Sequence, residues 1–296
     1  MTTTQLAPPT STRPIRRLRE TVRGRPLTSF FVLAFLGSWV GWTPYVLSEN
    51  GLGLWGFTFP GGDGWSQLTG VLPGAYLGPI GAAALVTALA DGRAGLRTWV
   101  GRLFRWRVGW RWYAGVLLGV PSAMVLLTIA VGGEPTAPSP LVLVALVPGL
   151  LLQMLTTGLA EEPGWRDFAL PRLQHRLGAL GAAALLGPLW GAWHLPLFLS
   201  DWDGFPDISW YQPVLFIAFS TMFNVIITWV FNCTRESLPI VMLLHVSVNN
   251  TASIAWSEIF PTSSGDLLQV ALLIGSTLGA VMALVVTRGR LGYVRR

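Results

Sequence analysis

The sequence predicts an all-α, polytopic membrane helix bundle of about eight transmembrane helices, on three observations. Only 11% of the 296 residues are Asp, Glu, Lys or Arg, against about 25% in an ordinary soluble protein, while 52% are hydrophobic. Eight apolar stretches reach the length of about 20 residues that a spanning helix needs. All the cations fall in alternate connections between those stretches. So few charges cannot wet a soluble surface of this size, which excludes a soluble enzyme and a disordered chain. The net charge of +6 does not indicate nucleic acid either, because the arginines sort to segment ends rather than onto one soluble face. The single Cys233 excludes an intrachain disulfide framework and a cysteine metal site.

The spans read as Leu27–Leu47, Gln67–Ala90, Trp112–Val131, Leu141–Ala160, Leu177–Leu199, Gln212–Asn232, Leu238–Ile254 and Leu267–Thr287. Span four is the least sharply bounded, because apolar character resumes at Phe168–Leu170. With the N-terminus inside, the inner segments are Met1–Pro26, Asp91–Arg111, Glu161–Arg176, Cys233–Ser237 and Arg288–Arg296. They hold six, six, three, one and four Arg, which is every one of the 20 cations. The outer loops hold none, but carry Glu49, Asp63, Glu134, Asp201, Asp203, Asp207, Glu258 and Asp266. This is the positive-inside pattern, and it implies a multi-pass protein of the cell membrane with both termini cytoplasmic.

Residues 1–26 read as a flexible basic tail, residues 27–287 as one integral-membrane domain, and residues 288–296 as a second basic tail. The first apolar run is too long for a signal-peptide core and has no small-x-small cleavage site before Glu49, so a retained helix is expected. In Asp91–Arg111, Leu96, Trp99, Val100 and Leu103 share a helical face with Arg97, Arg102 and Arg105 turned away. That spacing suits a helix lying on anionic lipid at the inner leaflet, and a plain basic loop is the other reading. Trp55, Trp65, Trp110, Trp202 and Trp256 near span ends read as an aromatic anchoring belt. The motifs show no internal repeat of the kind that builds many transporters.

Ionisable groups within a bilayer are costly, so each needs a partner or a task. His175, beside Arg172 and Arg176, reads as solvated. Three other polar sites lie within or against apolar runs: Glu161-Glu162-Pro163-Gly164-Trp165-Arg166, Trp190-Gly191-Ala192-Trp193-His194, and His245-Val246-Ser247-Val248-Asn249. Glu162 and Arg166 are four apart in the order that favours a helical ion pair, which leaves Glu161 as the candidate working carboxylate. His194 taken alone reads as a helix-packing hydrogen bonder. His245 and Asn249 share a helical face and address one point. Together the three sites offer an acid to deprotonate water, an imidazole to orient it and two donors for a developing oxyanion, the parts of amide hydrolysis without a covalent intermediate.

The same residues resemble a known family. Glu161-Glu162-x-x-x-Arg166, an aromatic-x-x-x-His ending at His194, and His245-x-x-x-Asn249 are similar to the three motifs of the CPBP family. That family, the abortive-infection or CAAX-processing proteins, includes the type II CAAX prenyl endopeptidases and homologues linked to bacteriocin immunity. The motifs occupy about residues 157–250, and one departure is that the second motif commonly opens with Phe where this chain has Trp190. The resemblance implies an intramembrane endopeptidase acting on a membrane-embedded or membrane-associated peptide or protein. Glu161 would be the general base, His194 its aid in activating water, and His245 and Asn249 the oxyanion hole. Glu162, Arg166 and Trp190 would support them. It implies a metal-independent glutamate mechanism, although members are often labelled metalloproteases. Glu161, His194 and His245 would be the ligand set if zinc were bound, without a His-Glu-x-x-His helix to preorganise them. The Arg-only, Gly- and Ala-rich composition suggests a bacterial genome, where prenylated CAAX substrates are generally absent.

Two other functions stay open on these residues: a non-catalytic membrane binding or immunity protein, and a proton-coupled transporter. The hydrolase reading expects the four site residues around one cavity open to the inner leaflet. At 1.5 Å per residue, His245 lies about 9 Å beyond Pro239, Glu161 about 14 Å from Leu170, and His194 roughly 24 Å from Gly178. Convergence therefore calls for span five to start later, tilt, or break near Gly187-Pro188.

Overall fold

The computed structural model describes residues 12–60 and 65–294, so Asp63 and the last two arginines of the expected basic tail lie outside the described residues. Among the described residues every regular element is helical and no strand occurs. Seven helical stretches are long and apolar enough to cross a membrane: Pro26–Leu47, Trp65–Ala90, Trp110–Ala130, Pro140–Leu199, Gln212–Cys233, Leu238–Ile259 and Gly265–Thr287. The fourth of these has 60 residues, which at 1.5 Å each is about 90 Å, three times the hydrocarbon thickness. It is broken at Gly178, whose φ of 72° is a left-handed conformation that a residue without Cβ adopts freely. Spans four and five are thus the two arms of one hairpin, and the stretch accounts for two of the eight expected passes.

The expected break at Gly187-Pro188 is not there: Gly178 is the one non-helical residue between Leu170 and Trp193. Convergence comes instead from the length of the hairpin. Span four runs past Leu170 to Leu177, so Glu161 and His194 lie 17 and 16 residues from Gly178 on opposite arms. At the helical rise both stand about 25 Å from the turn. Depths counted from Leu170 for one arm and Gly178 for the other were the source of the mismatch.

The ends of the bundle are chemically distinct. At one end Arg102 pairs with Asp167 and, at 3.2 Å, with Glu236. Arg105 also reaches Glu236 at 3.2 Å, and Arg172 meets Asp91 at 3.1 Å. Arg102 is therefore turned into the protein, contrary to the amphipathic reading of its segment. That segment does form a helix, Gly92–Gly101, but it is fastened inward by Trp99, whose Nε1 donates to the Pro163 carbonyl at 3.0 Å. Residues 12–24, expected to be flexible, form a helix with Val22 buried and the Arg23 Nε donating to the Ala90 carbonyl. At the opposite end Asp201 accepts from Tyr45, from Asn50 at 2.9 Å, and through its carbonyl from Gln67 at 3.0 Å. Asp266 there accepts from Tyr211 and Gln212.

Span seven is the central helix, with 72% of its apolar window buried by its neighbours. Spans one and two pack backbone to backbone through a ladder of small residues, the membrane route to close helix contact. A Cβ added at Gly74 would stand 2.3 Å from the Trp42 indole and 2.7 Å from the Ser38 carbonyl.

Two predictions arise here. Gly74→Val should lower stability in detergent by about 1–3 kcal/mol, read by thermal unfolding, because neither the indole nor the carbonyl has room to retreat. Asp203, in the acidic-end loop, has its carboxyl pushed up to about 6, first by burial and then by nearby Asp266. A raised acid favours the protonated folded state, so stability attributable to Asp203 falls as pH rises from about 4 to 6. Asp203→Asn should therefore raise the unfolding temperature above pH 6 and leave it unchanged below pH 4.

Candidate active site

Between spans one, two, four, five, six and seven lies a cavity of about 660 Å³. Glu161, His194, His245 and Asn249 all line it, and Trp190 forms part of its floor. Glu161 and Glu162 are adjacent, so helical geometry turns them about 100° apart. Glu161 keeps 6% of its surface open and lines the cavity, whereas Glu162 is fully enclosed and faces away from it. Local helix geometry widens here: the backbone from Pro163 to Ala169 forms a π-helical segment, where the ring of Pro163 removes a hydrogen bond.

Each side chain is held by a defined partner. The Trp190 Nε1 donates to Glu161 Oε2 at 2.8 Å, which leaves Oε1 facing the cavity without a protein donor. The His194 Nδ1 lies 2.9 Å from the Trp190 carbonyl. A carbonyl only accepts, so Nδ1 carries the proton and the Nε2 of a neutral ring is the acceptor. Aromatic rings enclose that imidazole: Trp193 and Phe216 edge-on at 4.6 and 4.9 Å, and Trp202 stacked at 5.7 Å. His245 Nδ1 meets Glu162 Oε1 at 2.7 Å, directing Nε2 toward Asn249, whose Nδ2 is 3.5 Å away.

Glu162 also receives Arg166 at 3.2 Å, both side chains fully buried. The guanidinium lies over the Trp190 ring at 4.1 Å, a cation–π contact strengthened by the dry surroundings. The expected Glu162–Arg166 pair is thus present, and it is joined to His245 and Trp190. Trp190 meets Glu161, Arg166 and both imidazoles: it bonds Glu161, lies under Arg166, and stands 5.9 and 5.1 Å from the His194 and His245 rings. A Phe at this position would pack but could not donate.

Among the described residues, no group of three His, Cys, Asp or Glu side chains stands close enough to hold a metal ion. Glu161, His194 and His245 line one cavity but do not converge as ligands of one ion. Trp202, expected in the anchoring belt, stacks on His194 instead, and its position in an outer loop gave no sign of this. Trp193, on which the sequence offered no reading, packs against both His194 and Trp42.

The fold and this arrangement define a polytopic helical membrane protein with a carboxylate–imidazole site enclosed among its spans. Residues 143–251 match the family model described as type II CAAX prenyl endopeptidase Rce1-like. The chain is also similar to the CAAX prenyl protease 2 of Methanococcus maripaludis, 33% identical over 107 residues. That alignment covers 35% of this chain and 39% of the relative, so the chain spans about two-fifths of that protein's length. The resemblance drawn from the three motifs, to the CPBP or CAAX-protease family, is borne out over this segment.

If the indole holds Glu161, Trp190→Phe should cost about 1–3 kcal/mol of stability by leaving a buried acceptor unpaired. The same change in a Glu161→Ala background should cost far less. Equal losses in both backgrounds, measured by thermal unfolding, would mean that Trp190 contributes packing alone.

Proposed function

We propose that the protein is an intramembrane endopeptidase that hydrolyses a peptide bond of a membrane-associated peptide or protein with water activated by Glu161. The observation that carries this reading is the division of labour between two neighbouring carboxylates. Glu161 lines the cavity with His194, His245 and Asn249, while Glu162 is committed to Arg166 and His245 behind it.

In this mechanism the free Oε1 of Glu161 and the acceptor Nε2 of His194 hold a water between them. Glu161 takes its proton as the hydroxyl oxygen bonds to the scissile carbonyl carbon. The carbonyl oxygen becomes an oxyanion beside Asn249 Nδ2–H and the His245 imidazole, whose Nδ1 is held by Glu162. Glu161 then returns the proton to the departing nitrogen, the C–N bond breaks, and an acid and an amine leave. No covalent enzyme intermediate forms. Because the donor groups do not converge on an ion, no step is routed through a metal. The exposed arginines at the basic end suit contact with anionic lipid headgroups.

The test is incubation of purified protein in detergent with a library of membrane-proteome peptides, beside Glu161→Gln. Loss of the base should reduce cleavage by about 10²–10⁴-fold. Chelator should leave the rate unchanged. Cleavage that persists in the variant removes Glu161 from its role, and loss on chelation restored by zinc contradicts the metal-free route. A protein that cuts nothing yet binds a partner equally well in both forms is the immunity-type alternative. Flux across a sealed membrane that depends on Glu161 would identify the transporter.

A further inference from the structure

A second cavity, of about 640 Å³, lies among spans three, six, seven and eight. Phe219 and Phe223 of span six line both cavities and stack at 5.4 Å, so they form a partition between them. Leu244 and Val248 give this cavity a face of span seven adjacent to the one that carries His245 and Asn249. On span three the wall follows one face from Arg111 through Gly115, Gly119 and Ala123 to Leu127. Sixteen residues at the helical rise give that wall a length of about 24 Å.

The space exists because no side chain fills it. A Cβ on Gly115 or Gly119 would meet nothing within 4 Å. The glycines of span eight differ: a Cβ on Gly275 would stand 2.7 Å from Leu127, and one on Gly279 2.6 Å from Ile226. Span eight is therefore packed onto spans three and six, while the face of span three around Gly115 and Gly119 is left uncovered. Gly115, Gly119 and Ala123 are exposed, as is Met282 on span eight, so the cavity is a groove open sideways between these two spans.

Its chemistry changes along its length. Toward the acidic end the lining is apolar apart from Ser276, whose hydroxyl donates to the Leu273 carbonyl. At the arginine end stand Arg111 and two indoles, Trp112 and Trp229, edge to face at 5.6 Å. Arg111 is exposed, and among the described residues no carboxylate pairs with it, although Arg102, Arg105 and Arg172 all have partners.

We propose that this groove binds one anionic phospholipid, with an acyl chain lying between spans three and eight and the phosphate at Arg111. The two indoles mark the level of the membrane interface, where such rings gather. Anionic lipids are concentrated in the cytoplasmic leaflet, which is where an arginine-bearing end belongs. A partner helix fits less well: about 10 Å across and 24 Å long, it would occupy about 1,900 Å³, three times the groove. An acyl chain is thin enough to lie wholly inside and asks for no hydrogen bonds there. The phenylalanine partition sets this site apart from Glu161, and the proposal does not depend on the endopeptidase reading.

The test is native mass spectrometry of the full chain in detergent with equimolar phosphatidylglycerol and phosphatidylcholine. One phosphatidylglycerol per chain should be retained in preference to phosphatidylcholine. Arg111→Gln should weaken that preference about fivefold, the effect of one cation at an anionic lipid surface. Its thermal unfolding in lipid-free detergent should be unchanged, because the side chain is exposed and unpaired. Gly119→Trp, which fills the groove, should abolish retention of both lipids, and Arg111→Gln keeps the test decisive if the tryptophan variant does not fold. Equal retention of the two lipids by the unaltered protein overturns the proposal, as does a preference that survives Arg111→Gln. So does unchanged retention in folded Gly119→Trp. A dimer that dissociates in Gly119→Trp would assign the groove to a second copy of the chain instead.

Discussion

Burying Glu162, Arg166 and His245 together at the centre of an apolar bundle is the constraint on which the rest of the structure depends. Any one of them alone would be prohibitively unfavourable among lipid-embedded helices. As a group they neutralise one another: the carboxylate meets the guanidinium at 3.2 Å and the imidazole at 2.7 Å. The cluster draws on spans four and seven, and Trp190 adds span five through the face of its ring. Three helices are thereby fixed in rotation and height. With Glu162 committed inward, its neighbour Glu161 must point elsewhere, and the one remaining direction is the cavity.

The hairpin of spans four and five makes this possible. Its turn at Gly178 lies well past the ion pairs of Asp167, so its two arms enter the bundle with Glu161 and His194 at matched depth. Glu161 sits six residues, about 9 Å, above Asp167, and His245 nine residues beyond Glu236, which pairs with the same Arg102. The arginine network therefore acts as a common floor from which the acid and one of the imidazoles are measured.

Much of this was legible in the sequence, and the failures have physical causes. Span number, helix class and the four cavity-lining residues could be read because apolar length, arginine segregation and i,i+4 spacing are local properties. The inward turn of Arg102 was not, because its partners Asp167 and Glu236 are far along the chain and amphipathicity alone sent it to solvent. Trp190 looked like a neutral replacement for Phe, since sequence reports aromatic volume but not where an indole N–H will find a carboxylate. The depth mismatch arose from ending span four at an apparent boundary rather than at the glycine that turns the chain.

The central claim is that two adjacent acids divide their roles, one reactive and one structural. Parallel thermal unfolding of Glu161→Gln and Glu162→Gln tests it most directly. Glu161→Gln should unfold at or near the temperature of the unaltered protein, because that side chain borders a cavity and gives up little. Glu162→Gln should lose about 3–5 kcal/mol, since Arg166 is then buried without its counter-charge. Equal stability losses, or a larger loss at Glu161, would contradict this account.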